Sequence, residues 1–231
     1  MNLMVIERHF DVELGALKKK LLHMGSVAEE MIRLAVKGLV IRDASMAETV
    51  FAMEDEVNHL HIEIDDIAMK LLALHQPMAT DLRLLAAVVK INSELERIAD
   101  QAVNISQNTN FLLKEPQLKP LIDLPHMAEI AQKMVDNSLK SFMDKNIELA
   151  QSILLEDDKV DELKDQIFRE LLTYMMSDPN TIQRALSLIL ISRNLERIGD
   201  HATNIAEDVI YMVQGRDVRH PTKAPAPGRM H

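Results

Sequence analysis

The chain has no cysteine and no tryptophan, and it is poor in aromatics, glycine and proline. Each shortage excludes something. Without cysteine there is no disulfide and no thiolate metal site, which fits a reducing compartment. With aromatics at 3%, Gly at 6 and Pro at 8 in 231 residues, the sequence lacks the strand and turn vocabulary of a β-protein. No apolar run approaches the ~20 residues needed to cross a bilayer; stretches such as Ala185 to Ile191 are far shorter. Glu7, Arg8 and Asp11 interrupt the N-terminus too early for the apolar core of a signal peptide. These absences predict a soluble, cytoplasmic protein with no direct membrane insertion. Basic excess is missing too. The net charge is -10, which repels phosphate backbones and anionic lipid, so no nucleic acid partner is expected.

What is present is helix-forming. Leu, Ala, Met, Glu and Lys dominate, with 15 methionines and an apolar fraction of 47%. The chain also repeats itself. Leu95 to Ile105 and Leu195 to Ile205 are identical at eight of eleven positions. Upstream, Met24, Ala28 and Met31 match Met127, Ala131 and Met134, and Val57, Leu60 and Ile64 match Val160, Leu163 and Ile167, at an offset three residues longer. A unit of this size is a duplicated domain rather than a short solenoid repeat.

Apolar spacing of three and four predicts three helices per copy, near 7–42, 45–75 and 80–113, then 122–144, 147–176 and 179–214. Ser45 with Glu48 reads as a capping box, Asp178–Pro179 as an N-cap and first helical position, and Gly215 as a C-cap. The expected class is all-α: two tandem three-helix bundles, the first in 1–115 and the second in 116–215, joined near Glu115 to Pro120. A disordered tail is expected over 216–231. The third helix of each copy is the most apolar and should be the most buried, between the copies. The methionines at helical core spacing read as packing, and His9, His23, His59, His61 and His75 suggest no role.

One polar pattern stands beside the apolar seam. Residues four apart lie one above the other on a helix. Glu96, Asp100, Asn104 and Asn108 therefore form a stripe, matched by Glu196, Asp200, Asn204 and Asp208. Carboxylates at this spacing repel. They can be compensated by a hard or borderline cation such as Mg, Mn, Fe or Zn, by a salt bridge to Arg97 or Arg197, or by solvent. Asp157 with Asp161 repeats the spacing on the fifth helix; the alternative there is ordinary acid in a first helical turn. Asn58 stands opposite Asp161, which leaves the first copy's motif incomplete.

The doubled Leu-Glu-Arg-Ile-(Ala/Gly)-Asp segment resembles the PhoU family. Asp81-Leu82-Arg83, Leu172 to Met176 and Gly215 to His220 agree with its pattern, so the resemblance spans roughly residues 7 to 220. It implies two three-helix bundles with approximate twofold symmetry, and a negative regulator of phosphate uptake and of the phosphate-starvation response. The implied partners are the ATPase subunit of the phosphate ABC transporter and a sensor histidine kinase, with a homodimer common. It also implies metal at the paired motifs, here Glu96 with Asp100, Glu196 with Asp200 and Asp157 with Asp161. Ala99 departs from Gly199 but is small enough for close helix approach.

Three rivals remain open on the residues. A metal-free helical interaction protein shares the fold. A ferritin-like metal-dependent oxidase needs Glu-x-x-His on two helices; Glu56–His59 fits once, while Lys159–Glu162 does not. A phosphotransfer bundle would use His201, read here as a partly exposed, ordinary histidine whose counterpart is Gln101.

Overall fold

The computed structural model describes residues 9–218. They form six long helices and, among the described residues, no strand: α1 (His9–Ile41), α2 (Ala44–His75), α3 (Ala79–Leu112), α4 (Asp123–Asp144), α5 (Ile147–Ser177) and α6 (Ile182–Gln214). A single 3-10 turn, Pro179–Thr181, leads into α6. The start expected for α1 at residue 7 and, from residue 219 on, the tail lie outside the described residues. Among the described residues no helix is long and apolar enough to cross a membrane.

Local chemistry ends these helices. Asp178 accepts from the Asn180 amide at 3.0 Å, with Pro179 following, and Gly215 takes a left-handed φ of 68° while donating to the Tyr211 carbonyl. The box expected at Ser45 and Glu48 does not form. Asp43 caps α2 instead, its Oδ1 accepting from the Ser45 amide at 2.9 Å and from the Ser45 hydroxyl at 2.8 Å. It gains that position because α1 stops at Ile41 and Arg42 turns the chain at a φ of 59°. Arg42 then reaches across to the end of α3, donating to the carbonyls of Leu112, Leu113 and Glu115, where the helix dipole favours a cation.

Within each copy all three helices touch one another, and the copies meet through α3 on α6 and α1 on α4. Among the described residues, the flanking helices α2 and α5 pack only within their own bundle. Leu95, Ile98, Ala102 and Ile105 of α3, with Leu195, Ile198, Ala202 and Ile205 of α6, are completely buried. Each leucine or isoleucine so buried contributes roughly 1.5–3 kcal/mol. Met24, Met31, Met127 and Met134 join the same core, as packing requires. The α3–α6 crossing is antiparallel, since Arg83 donates to the Met212 carbonyl while Lys90 bonds Asp208 and His201 bonds Glu94. At the second contact, Gly25 lets α1 approach Leu139 of α4, where a Cβ would overlap that side chain. Gln132 of α4 donates there to the Glu29 carbonyl at 3.0 Å.

Candidate functional site

The two carboxylate stripes each meet an acidic stretch of the flanking helix in the same bundle. In the second bundle, Asp157 and Asp161 of α5 face Glu196 and Asp200 of α6. Their mutual repulsion is visible in their proton affinities. Burial first, then Asp200, Asp161, Asp158 and Glu196, push the Asp157 carboxyl up to about 6. Asp200 is raised by burial, then by Glu196 and Asp161, with His201 and Lys164 working against the rise. One cation already stands in this cluster. Lys164 donates to Asp161 Oδ1 at 2.7 Å and to Glu196 Oε1 at 3.0 Å. Its ammonium is held above the ordinary lysine value, first by the hydrogen bond to Asp161.

The first bundle is built differently. Glu54 of α2 and Asp100 of α3 approach each other: burial and then Asp100 raise Glu54, and burial raises Asp100 against the pull of His201. Glu96 is half-buried on the same stripe and makes no hydrogen bond or ion pair among the described residues. The counterpart of Asp161 is Asn58, and the counterpart of Lys164 is His61, which lies 3.8 Å from Asp65 instead of between stripe acids. The first cluster has thus lost one acid and its ammonium together.

Neither arginine considered for the stripes serves them. Arg97 pairs with Glu94 at 3.1 Å, and Arg197 makes no ion pair among the described residues. The salt bridge that does form comes from Lys164, whose approach to Glu196 depends on how α5 crosses α6.

The donor chemistry suits a hard cation, being carboxylate oxygen without thiolate. The arrangement is another matter. Among the described residues no three His, Asp or Glu side chains are grouped to hold a metal ion. In the second cluster the Lys164 ammonium lies between two of the four acids. The carboxylates as placed are not a ready ligand set.

Sequence reading passed over Glu94. Its Oε2 accepts from His201 Nδ1 at 2.7 Å and from Asn204 Nδ2 at 3.1 Å, tying α3 of one bundle to α6 of the other. Burial works to raise this carboxyl, but the bonds from His201 and Asn204 outweigh it and hold the group below its ordinary value. His201 is therefore not the partly exposed residue expected. It is 8% exposed, Nδ1 is engaged, and Nε2 is sealed from solvent with no partner among the described residues. That geometry closes both ring nitrogens to a phosphodonor. The lone Glu56–His59 pair lies on the exposed side of α2, with Glu56 bonded to His23 at 3.0 Å and His59 to the Asp55 carbonyl at 2.6 Å. It does not enter the bundle core, where a ferritin-like oxidase places such groups.

Comparison with known proteins agrees with this architecture. Residues 21–109 and 124–209 each match the PhoU domain, one match in each bundle. The phosphate-specific transport system accessory protein PhoU homolog of Pseudomonas aeruginosa is 39% identical over 216 residues, covering 93% of this chain and 89% of that one. The crystal structure of PhoU from Pseudomonas aeruginosa superposes with a TM-score of 0.87 at 38% identity, covering 90% of this chain and 100% of that chain. The structure of the phosphate transport system regulatory protein PhoU from Streptococcus pneumoniae gives 0.85 at 28% identity, over 92% of this chain and 100% of that chain. With a domain match in each half and likeness along nearly the whole length, the chain belongs to the PhoU family.

Proposed function

We propose that this protein is a negative regulator of phosphate uptake and of the phosphate-starvation response. It acts as a cytoplasmic adaptor between the ATPase subunit of a phosphate ABC transporter and a sensor histidine kinase, and not as an enzyme. The observation that carries this reading is the near full-length likeness to relatives named as phosphate-specific transport system accessory proteins. The geometry supports it in kind. Rigid antiparallel helices display two acidic clusters, whose charge steers and orients a basic partner surface. The test is deletion of the gene: uptake and starvation-gene reporters should become constitutive in phosphate-rich medium, and unchanged expression refutes the reading.

A cation at the stripes is a separate proposal. Its support is the electrostatic load on Glu54 and Asp100, which share no ammonium, and on Asp157. The first cluster is the stronger candidate, reversing the order that Asn58 suggested. A homodimer remains part of the proposal and is read by sedimentation equilibrium of the purified chain.

A further inference from the structure

Apolar side chains stand on the outer face of α6 where polar ones would serve the fold equally well. Ile182, Leu186 and Leu190, one turn apart, are between 40% and 47% exposed. Phe168 and Leu172 of α5, also one turn apart, are 48% and 42% exposed. Phe168 and Ile189 line a groove between these helices, together with Ser192 and Arg193.

The first bundle is an internal control. Its counterparts of Phe168, Leu186 and Leu190 are Asp65, Ala86 and Lys90, while Leu82 and Met69, opposite Ile182 and Leu172, stay apolar and are 46% and 55% exposed. Asp65 accepts a hydrogen bond from Asn92 at 2.9 Å, and Lys90 pairs with Asp208 at 2.8 Å. The same three-helix unit therefore folds without the middle of the strip, and Phe168, Leu186 and Leu190 answer to something other than folding.

Charge indicates what that is. Arg193 and Arg197 continue the strip, four residues apart on the same exposed face, and neither makes a hydrogen bond or ion pair among the described residues. Arg97, the counterpart of Arg197, is paired with Glu94. Two uncommitted guanidiniums at the end of an apolar strip, on a chain of net charge -10, match carboxylates on whatever lies against it.

We propose that the α5–α6 strip is a docking surface for an amphipathic helix of a partner protein, whose apolar stripe ends one turn on in acidic residues. The helix lays its apolar side chains along Leu172, Phe168, Leu186 and Leu190, and its carboxylates meet Arg193 and Arg197. A second copy of this chain fits less well, because its strip would bring the same two arginines and put like charge on both sides of the contact. An anionic lipid surface would press its charge against the whole acidic chain, whereas a helix brings only two carboxylates to the two arginines. The inference deepens the adaptor reading and rests on it for the partner's place in the cell; the chemistry of the surface is tested without it.

The experiment uses the full chain and a labelled synthetic helix of about five turns, with leucines one turn apart followed by two glutamates one turn apart. A control peptide carries lysines for the glutamates. Fluorescence anisotropy should show the glutamate peptide binding at least about tenfold more tightly, with the gap narrowing as salt rises. Leu186→Ser with Leu190→Ser should abolish binding, and Arg193→Glu with Arg197→Glu should reverse the preference. All four positions are exposed, and unchanged helicity and melting temperature confirm that the variants fold. Equal affinity for the two peptides, or none for either, overturns the proposal. So does binding to phosphatidylglycerol vesicles, or self-association, that these substitutions abolish; the strip would then belong to a membrane or to a second copy. Normal phosphate control in the deletion strain with peptide binding intact would overturn the adaptor reading and leave the surface standing.

Discussion

His201 of α6 and Glu94 of α3 share a 2.7 Å hydrogen bond across the seam between the two bundles, with both side chains close to nine-tenths buried. Removing one partner strands the other in a desolvated place. Glu94→Ala should cost about 2–3 kcal/mol, read as a lower urea midpoint with an unchanged slope. Because the folded state holds the Glu94 carboxyl below its ordinary value, its contribution is complete above that value and is lost as pH falls through the depressed one. An alanine variant as stable as the wild type would mean that the tie contributes nothing to holding the bundles together.

The second acidic cluster has the opposite sign. Asp157 binds its proton more tightly folded than unfolded, up to about 6. Stability should therefore fall as pH rises from the ordinary carboxylate value through about 6, where the folded protein must give up that proton. Asp157→Asn should stabilise the protein at pH 7.5 by about 1 kcal/mol after discounting for solvent screening, seen as a higher melting temperature, and flatten the profile below that pH. A lowered melting temperature at pH 7.5 would show that the charged form is being held by something else.

Glu29, at the contact of α1 with α4, extends the same argument to a higher window. Burial and then Asp136 push its carboxyl up to about 7, with Lys140 opposing. Glu29→Gln should stabilise the protein most at pH 8 and hardly at all at pH 5. Equal effects at both would remove the titration from the explanation.

At Gly199 the sequence comparison and the packing agree. A Cβ there would lie 3.4 Å from Asp157 Oδ1 and 3.6 Å from Val160, ordinary van der Waals distances, and Ala99 already fills the equivalent place in α3. Gly199→Ala should be neutral or stabilising by up to about 1 kcal/mol, the helical preference of alanine over glycine. A clear loss of stability would show a closer approach in solution.

Metal analysis by mass spectrometry separates the uses of the stripes. The test compares wild type with a variant carrying Glu96→Ala, Asp100→Ala, Glu196→Ala and Asp200→Ala. Stoichiometric metal in the first, lost in a folded second, places it on the stripes. If the second cluster competes for a cation, Lys164→Ala should tighten manganese binding by about tenfold, measured calorimetrically. An unchanged isotherm would remove Lys164 from the competition.

Much of this architecture was legible because it is local. Asp178–Pro179 and Gly215 mark helix ends through bonds within a few residues, and the stripe follows from helical spacing alone. Asp43 took the cap expected of Ser45 because the stop of α1 decided which residue was free to turn. The other misses are contacts between helices distant in sequence. Glu94 meets His201 only through the antiparallel crossing of α3 and α6, and Lys164 reaches Glu196 only through the packing of α5 on α6. No pattern along one helix encodes either meeting. The one available hint was the duplication itself, since His201 and Glu94 both break it, opposite Gln101 and Asn194.

That broken symmetry carries a consequence for how such a molecule assembles. The first half holds the acid of the tie without its imidazole, and the second half holds the imidazole without its acid. Two first halves brought together would meet glutamate with glutamine, and two second halves would meet histidine with asparagine. Only unlike halves set a carboxylate against an imidazole at this seam. Joined in one chain, they always find each other, and exchange of halves between neighbouring molecules gains no contact that the single chain lacks.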